Sequence, residues 1–267
     1  DEVRQRSCLL AAATRMAGRN MTAGIAPDRI EAGGGSFQGA VRRMFDGLAP
    51  RYDSFNRWAS LGMDEGWRRA AIARLAVAPE GRVLDVATGT GDLAFATERA
   101  GGRVVGCDFA AAMIRIAADK AGKSNSTAAF QVASADALPY RASSYVGAVS
   151  GFAMRNVRPI LEMVLHEILR VLEPGGRLVV LEFTKPVIAP VRWSHHLYTG
   201  ILMPRLGGFL TGDREPFDYL NRSIAAWFSP EEFADILRQR GFVDVGYERL
   251  SFGTVALRWG TRPPVCE

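Results

Sequence analysis

The sequence predicts an α/β fold, Rossmann-like, with a seven-stranded and mostly parallel sheet. Short apolar runs alternate with segments of helical periodicity between residues 82 and 183, which is the pattern of repeated βαβ units. These strand candidates are apolar on both faces, as expected for a parallel sheet that helices cover on both sides. Two more strand candidates follow Gly241 around Phe252-Gly253, and they predict a closing hairpin whose last strand is antiparallel.

Five strands and three intervening helices build the predicted central part. The strands are predicted at residues 82–87, 103–108, 128–133, 145–152 and 177–183. Helical periodicity predicts a helix that ends near residue 100 and two others at residues 110–121 and 159–172. Pro159 is expected in the first turn of its helix, where a missing N–H does no harm. Glu173–Gly176 is expected to be the turn before the fifth strand.

The segments on either side have different patterns. Residues 37–78 are predicted to be helical. Residues 186–228 form an apolar insertion with several prolines, which predicts a helical cap with its own core, a lid, or both. Ser229 precedes a proline and two acids and is expected to cap a helix. That helix and the two closing strands are predicted at residues 229–241, 243–251 and 254–260.

The first 36 residues are interpreted as a disordered extension. They hold five arginines among alanine, glycine and serine, and they end in Gly33-Gly34-Gly35-Ser36. One alternative is a transit peptide, since such leaders are rich in arginine and poor in acids, although four acidic residues weaken it. The other is a miscalled start, because the chain begins with Asp1.

Composition excludes several classes of protein. Of 267 residues, 48% are hydrophobic and 23% are charged, which excludes a wholly disordered chain, a collagen and a coiled coil. No apolar run reaches the ~20 residues that span a bilayer. The net charge of +5 comes from scattered arginines, so nucleic-acid binding is not expected. The three cysteines lack CxxC spacing and the histidines lack HExxH spacing, so no metal site is predicted.

The turn after the first strand is the candidate ligand site. Glycines at 89 and 91 let the backbone approach a ligand closely, and Asp108 at the end of the second strand can accept hydrogen bonds from a ribose. The spacing Gly89-x-Gly91-x-x-Ala94 also fits a dinucleotide site. S-adenosylmethionine (SAM) is favoured because Asp85 can meet its positive charges, whereas a buried acid would repel pyrophosphate. Alternatively, Asp85 only bonds the amides of the turn.

Two later features also favour SAM. Ser134–Tyr140 follows the third strand, where class I methyltransferases place an adenine-binding turn. The hairpin after Gly241 resembles the antiparallel pair that distinguishes their sheet from the dinucleotide fold. The predicted fold is therefore that of a class I SAM-dependent methyltransferase. Thr88 lies in the same turn, and because it carries a side chain the turn should tolerate it only at negative φ.

Over roughly residues 40–262, the chain resembles the ubiquinone/menaquinone biosynthesis C-methyltransferase family. The matching motifs are Met44–Asn56 continuing to Gly62 and Trp67-Arg68, Leu84–Asp92, Gly151–Val157, Leu178–Pro186 and Tyr219–Ile224. The resemblance implies that a methyl group moves from SAM to a ring carbon of a prenylated quinol, a menaquinone or ubiquinone precursor. Alternatives are another methyl acceptor (a phenol, sterol or lipid amine), a dinucleotide-dependent oxidoreductase, and a non-catalytic subunit of SAM-binding fold.

Candidate site residues come from the turn and from this resemblance. The SAM-binding candidates are Asp85, Gly89, Thr90, Gly91, Asp108, Phe109, Ser134, Ala135 and Ser150. The catalytic candidates are Arg155, Tyr52, Asp53 and Asn56. Because a guanidinium is a poor proton acceptor, Arg155 is interpreted as a stabiliser of the quinol phenolate or as the partner of a water that takes the proton.

Structural roles are the alternatives for these residues. Arg155 and Asn156 would then tie their loop to the preceding strand, and Tyr52 and Asp53 would cap the N-terminal helices. His195 and His196 are either the base or exposed residues of the insertion.

The expected organisation and partners follow from the resemblance. The boundaries are residues 1–36 for the extension, 37–80 for a helical substrate region, 81–185 for the SAM-binding core, 186–228 for the lid, and 229–262 for the last helix and hairpin. Expected partners are a prenylated quinol, a membrane surface touched by the lid, and a second copy of the chain or a quinone-synthesis complex. The expected location is cytoplasmic, peripheral at the inner face of the membrane, without metal.

Overall fold

The computed structural model of the chain describes residues 57, 60, 62–197 and 215–264. The predicted extension and most of the predicted helical substrate region lie outside these residues. The strands are β1 (Arg82–Val86), β2 (Arg103–Asp108), β3 (Ala129–Val132), β4 (Tyr145–Gly151), β5 (Leu172–Phe183), β6 (Val243–Leu250) and β7 (Val255–Thr261). The α-helices are α1 (Asp64–Leu75), α2 (Asp92–Arg99), α3 (Ala111–Ser124), α4 (Leu161–Val171), α5 (Ala189–Leu197), α6 (Glu215–Ala226) and α7 (Pro230–Gln239).

The seven strands form one sheet in the order β3-β2-β1-β4-β5-β7-β6. The first five are parallel to one another, and β7 runs antiparallel to both β5 and β6. The chain thus has the predicted class I methyltransferase fold. Parallel strands end at one common edge of the sheet, so the residues that follow β1 to β5 meet there.

Both faces of the sheet are buried, as the apolar strands predict. Leu84 and Val180 face a core completed by α4 and α7. Val83 and Val179, one residue away on the same strands, face a second core that contains Trp67 of α1. Neighbouring residues of a strand point to opposite faces, so consecutive apolar residues are the expected sign of a sheet covered on both sides. The edge strand β3 differs and is largely exposed.

Two boundaries around α4 differ from the prediction. A 3₁₀ helix spans Met154–Ile160 and contains Pro159, so α4 begins only at Leu161. Proline disfavours α geometry in the residue before it, which explains the tighter turn at this point. β5 begins at Leu172 rather than residue 177, because backbone bonds between Gly175, Gly176 and Arg262 hold the predicted turn against the end of β7.

The C-terminal predictions are confirmed in detail. The Ser229 hydroxyl accepts a hydrogen bond from the Glu232 amide, and the Glu232 carboxylate accepts one from the Ser229 amide, a capping box. The β6–β7 connection is a single 3₁₀ turn over Ser251–Gly253. Because β7 is antiparallel to β5, this turn lies at the same edge of the sheet as the carboxyl end of β5.

Candidate active site

The turn between β1 and α2 has the geometry expected of a ligand-binding glycine loop. Gly89 and Gly91 have φ values of 56° and 87°, a conformation that glycine adopts without strain. Thr88 is not among the residues at positive φ, as predicted; Ala87, at 55°, takes the left-handed position instead. The Thr88 amide donates to the Cys107 carbonyl at 2.9 Å, which fixes the turn to the end of β2.

Replacing Gly91 with alanine is expected to deform this loop. A Cβ atom at Gly91 would lie 2.9 Å from the Phe130 ring, and its φ of 87° disfavours any side chain. We expect a loss of about 1–3 kcal/mol in the free energy of unfolding and a clear loss of SAM affinity, measured by denaturant unfolding and calorimetric titration. Gly122 in α3 has nothing within 4 Å of such a Cβ, so Gly122→Ala is the matched control and should be neutral or stabilising. Equal behaviour of the two variants would contradict this account.

Asp85 lies on β1 directly beneath the glycine loop and is completely buried. Its Oδ2 accepts a hydrogen bond from the Thr88 hydroxyl at 2.6 Å, while its Oδ1 has no partner among the described residues. Burial raises the pKa of this carboxyl to about 7, and the bond from Thr88 offsets only part of that rise. A buried acceptor without a donor is costly, and an ammonium group from a ligand would satisfy it.

Asp108 ends β2 and holds the other side of the loop. Its Oδ2 accepts from the Gly89 amide and its Oδ1 accepts from the Ala110 amide, both at 2.9 Å. Each carboxylate oxygen has a second lone pair, so Asp108 can hold the loop and also accept hydrogen bonds from a ribose. The sequence predicted that Asp108 ends the second strand, and it lies there in the structure.

The other SAM-binding candidates gather at the same edge. The register sets Asp85 beside Gly106 and Val149, so Ser150 on β4 is one residue nearer the carboxyl edge. Ser150 is fully buried and its hydroxyl has no partner in the described part of the chain. Thr90 is buried, and Phe109, Ser134 and Ala135 are half-buried. Ser134 donates to Asp136. The fold therefore gathers these candidates around one carboxyl edge.

Arg155 lies in a second cluster, at the carboxyl ends of β4 and β5. Its Nη1 donates to Glu182 Oε1 at 2.7 Å and to the Phe152 carbonyl. Its Nε donates to the Ser223 hydroxyl of α6 at 3.3 Å. Nη2 makes no hydrogen bond to the described residues. Arg155 is thus tied to the following strand and to α6, and one of its NH₂ groups has no hydrogen-bond partner in the described part of the chain.

Glu182 was not among the predicted site residues, although it lies inside a predicted motif. It is fully buried, and it also accepts from the Arg155 amide at 3.3 Å. A charge within the apolar run Leu178–Phe183 was the available signal, because buried charges are nearly always paired. The identity of its partner could not be read from that signal.

Tyr219 of α6 contributes a further contact to this cluster. Its hydroxyl donates to Asn156 Oδ1 at 3.2 Å, and burial raises the pKa of this phenol. Asn156 therefore contacts the end of the insertion. Of the other catalytic candidates, Tyr52, Asp53 and Asn56 lie outside the described residues, as do the side chains of His195 and His196.

An ion-pair chain joins α1 to the glycine loop. Asp92, which begins α2, pairs with Arg68 of α1 at 3.0 Å and with Lys120 of α3 at 2.5 Å. Arg68 also pairs with Asp64 at 2.7 Å. Arg68 and Asp92 both belong to predicted motifs, but the sequence did not indicate that they meet. Within the described ranges, no group of three or more acidic, histidine or cysteine side chains is arranged to hold a metal ion.

Known proteins share both the sequence and the fold. The sequence model of the ubiE/COQ5 methyltransferase family matches residues 35–262. A demethylmenaquinone methyltransferase of Thermus thermophilus is 43% identical over 223 residues, which cover 82% of this chain and all of the relative (100%). One from Deinococcus radiodurans is 40% identical and covers 84% of this chain and 92% of the relative.

Two further comparisons concern a second type of relative and the fold. A ubiquinone/menaquinone biosynthesis C-methyltransferase UbiE of Rhizobium etli is 38% identical, covering 86% of this chain and 92% of the relative. A SAM-dependent methyltransferase structure from Thermotoga maritima has a TM-score of 0.56 at 19% identity, covering 82% of this chain and 99% of that one. At that identity the structural likeness supports the fold alone.

Proposed function

The chain belongs to the ubiE/COQ5 methyltransferase family, and on this premise we propose that its methyl acceptor is a ring carbon of a prenylated quinol. It is a SAM-dependent C-methyltransferase of quinone biosynthesis. The family assignment decides against the dinucleotide-dependent oxidoreductase. Relatives named for menaquinone alone and for both quinones match this chain similarly, so either precursor is a candidate acceptor.

The buried Asp85 carboxylate beneath the glycine loop is the observation that supports the donor half of this reaction, the binding of SAM. When bound, SAM supplies a methyl group on a positively charged sulfur. Asp85 Oδ1, which lacks a partner, would accept from the ammonium group, and Asp108 would accept from the ribose hydroxyls. The residues present therefore fit this donor better than a pyrophosphate, which Asp85 would repel.

The affinity for SAM is expected to depend on pH because of Asp85. Burial raises the pKa of this carboxyl to about 7, and the charged form that binds ammonium is lost as pH falls through that value. Affinity should therefore fall by up to about tenfold for each pH unit below about 7. Calorimetric titration from about pH 7.5 down to about pH 5.5, where the ammonium of SAM stays protonated, measures this. A flat profile would contradict the proposed contact.

We assign Arg155 to the quinol oxygen, on the strength of its ion pair with Glu182 and its place in the motif Gly151–Val157. A ring carbon becomes nucleophilic when the neighbouring hydroxyl loses its proton. That carbon bonds to the methyl group as the methyl–sulfur bond breaks, and the bonding pair stays on sulfur. The carbon then loses its own proton. Arg155 Nη1 pairs with Glu182 at 2.7 Å. Its Nη2, which has no partner among the described residues, would donate a hydrogen bond to the developing phenolate. Alignment of the two reactants supplies the rest of the rate.

The ion pair also determines how Arg155 can act. Its guanidinium is too basic to accept the quinol proton, and Glu182 accepts bonds from the Arg155 side chain and backbone and from the Phe183 amide. We therefore assign Arg155 to stabilisation of the phenolate and leave the proton to water. Tyr52, Asp53 and Asn56 remain further candidates for the acceptor side of the site.

A panel of acceptors tests the proposed substrate class. The protein is incubated with labelled SAM and, separately, with reduced demethylmenaquinone, a demethylated ubiquinone precursor, a sterol and phosphatidylethanolamine in detergent. The proposal expects label in one or both quinols. Label in the sterol or lipid amine alone would move the function to another acceptor, and binding of SAM without any transfer would favour a non-catalytic subunit.

A further inference from the structure

The aromatic side chain with the highest exposed fraction among the described residues lies at the tip of the β6–β7 turn. Phe252 is 76% exposed, although exposing an apolar ring to water is energetically unfavourable. Large apolar side chains that project singly are common, whereas a contiguous group of them marks an interaction surface. The residues around Phe252 therefore show whether the ring is an isolated exposed side chain or part of an interaction surface.

The fold holds this turn in a conformation that presents the ring outward. Ser251 and Phe252 have φ values of 47° and 57°, which cost side-chain-bearing residues about 1 kcal/mol or more each. The Trp67 indole donates to the Ser251 hydroxyl at 2.8 Å, and the Thr254 amide donates to the Ser251 carbonyl at 3.2 Å. The exposure of Phe252 is thus built into a braced turn.

Other exposed apolar side chains surround the turn. The Thr184 amide donates to the Thr254 carbonyl at 3.0 Å, and a Cβ at Gly253 would lie 3.8 Å from the Val187 nitrogen. The Ser251 hydroxyl lies 3.9 Å from the Met63 sulfur. Exposed apolar side chains therefore come from three separate parts of the chain. We call this set the apolar patch: Met63, Val187 and Phe252, together with Ile188, which follows Val187 directly in the chain.

The charges beside the apolar patch are basic. Lys185 and Arg192 are exposed and form no ion pair within the described ranges. Glu182 is buried against Arg155, so it does not offset them. Near the turn, Arg249 is neutralised by Glu231 at 2.7 Å. An apolar surface flanked by unpaired cations is complementary to anionic lipid, since each cation near such a membrane contributes about 1 kcal/mol.

The position of the patch relates it to the active site. Phe183 at the end of β5 pairs with Val255 at the start of β7, so the turn lies at the sheet edge that carries the glycine loop and Arg155. We propose that the apolar patch docks on the surface of an anionic lipid bilayer, with Phe252 and Val187 inserted among the acyl chains. This rests on the proposed function, because a prenylated quinol resides in the bilayer.

Vesicle flotation of the full chain tests the docking surface. Wild type is expected to float with phosphatidylcholine vesicles that contain phosphatidylglycerol. The double variant Phe252→Ser/Val187→Ser should bind at least about tenfold more weakly, because two exposed apolar side chains no longer insert. The matched control is Met163→Ser/Val243→Ser, which removes exposed apolar side chains elsewhere and should float like wild type. Thermal unfolding checks that all variants are folded.

A second pair of variants tests the charge complementarity. Lys185→Glu/Arg192→Glu should lose the preference for phosphatidylglycerol vesicles. Lys123→Glu/Arg141→Glu changes the net charge equally at exposed positions away from the patch and should keep that preference. Wild type that stays with the soluble fraction, or patch variants that float like their controls, would overturn the proposal. Self-association that disappears in the patch variant, without any lipid binding, would reassign the patch to a second copy of the chain.

Activity separates this proposal from the proposed function. A short-chain, water-soluble quinol needs no membrane, so patch variants should methylate it like wild type and lose turnover only with a long-chain quinol in vesicles. Methylation of the soluble quinol without any vesicle binding would contradict the proposed membrane docking but support the proposed function. Vesicle binding through the patch without methylation of any quinol would support the membrane docking but contradict the proposed function.

Discussion

Replacing Asp85 with asparagine is expected to weaken SAM binding at least about 100-fold. Asparagine has nearly the same shape, but it cannot offer a negative charge to the ammonium group, and losing one partner of a buried charge pair costs about 2–5 kcal/mol. Isothermal titration at pH about 8 measures the affinity. An affinity within threefold of wild type would remove Asp85 from the binding site.

The same substitution should not destabilise the protein without ligand. The folded pKa of Asp85 is about 7, above its ordinary value of 3.8, so the folded state binds the proton more tightly than the unfolded state does. Stability from this group therefore falls as pH rises from about 4 to about 7. Above pH 7 the charged carboxylate opposes folding, and Asp85→Asn should stabilise by on the order of 2 kcal/mol in urea unfolding. Asp119→Asn, the same change at an exposed position, should alter neither affinity nor stability.

Replacing Glu182 with glutamine is expected to cost about 3–5 kcal/mol of stability and most of the activity. The change leaves Arg155 buried without a counter-charge, the situation in which breaking a buried pair is most costly. Arg258 would also lose the stabilising negative charge of Glu182. Burial lowers the pKa of Arg258 to about 10, and Glu182 partly offsets this decrease. Urea unfolding and the turnover of a saturating quinol measure the two effects.

Arg155→Lys separates the catalytic part of this effect from the structural part. Lysine keeps the charge beside Glu182, but it lacks the planar fork whose second NH₂ group would reach the phenolate. We expect turnover to fall about 100-fold, with SAM affinity within threefold of wild type and stability reduced less than in Glu182→Gln. Near-wild-type turnover in Arg155→Lys would restrict Arg155 to tying the loop to β5 and α6.

The geometry of the candidate SAM-binding turn was predictable because its signals are local. Asp85, Gly89 and Gly91 lie within seven residues of one strand–turn–helix pattern, and Asp108 is fixed by the next strand. In a parallel sheet both strands end at one edge, so sequence position alone brings these side chains together. The same holds for the Ser229 cap, whose partner Glu232 is three residues away.

The second half of the site depends on contacts between distant segments. Arg155, Glu182 and Ser223 come from the segment after β4, from β5 and from α6, and no periodicity in the sequence pairs them. The partners of the Arg68–Asp92 ion pair are likewise far apart in the sequence, on α1 and α2. Phe252 was predicted to lie in a turn, but its exposure beside Val187 and Met63 follows only from the way β7 pairs with β5.

The most direct test of the central claim is the position of the transferred methyl group. Demethylmenaquinone is offered with methyl-labelled SAM in its reduced and its oxidised forms, and the product is analysed by NMR spectroscopy. Methylation of carbon through a phenolate predicts label on the ring carbon beside a hydroxyl. Only the reduced form should be labelled, because the oxidised ring has no hydroxyl to ionise. Label on oxygen, or equal transfer to the oxidised quinone, would contradict it.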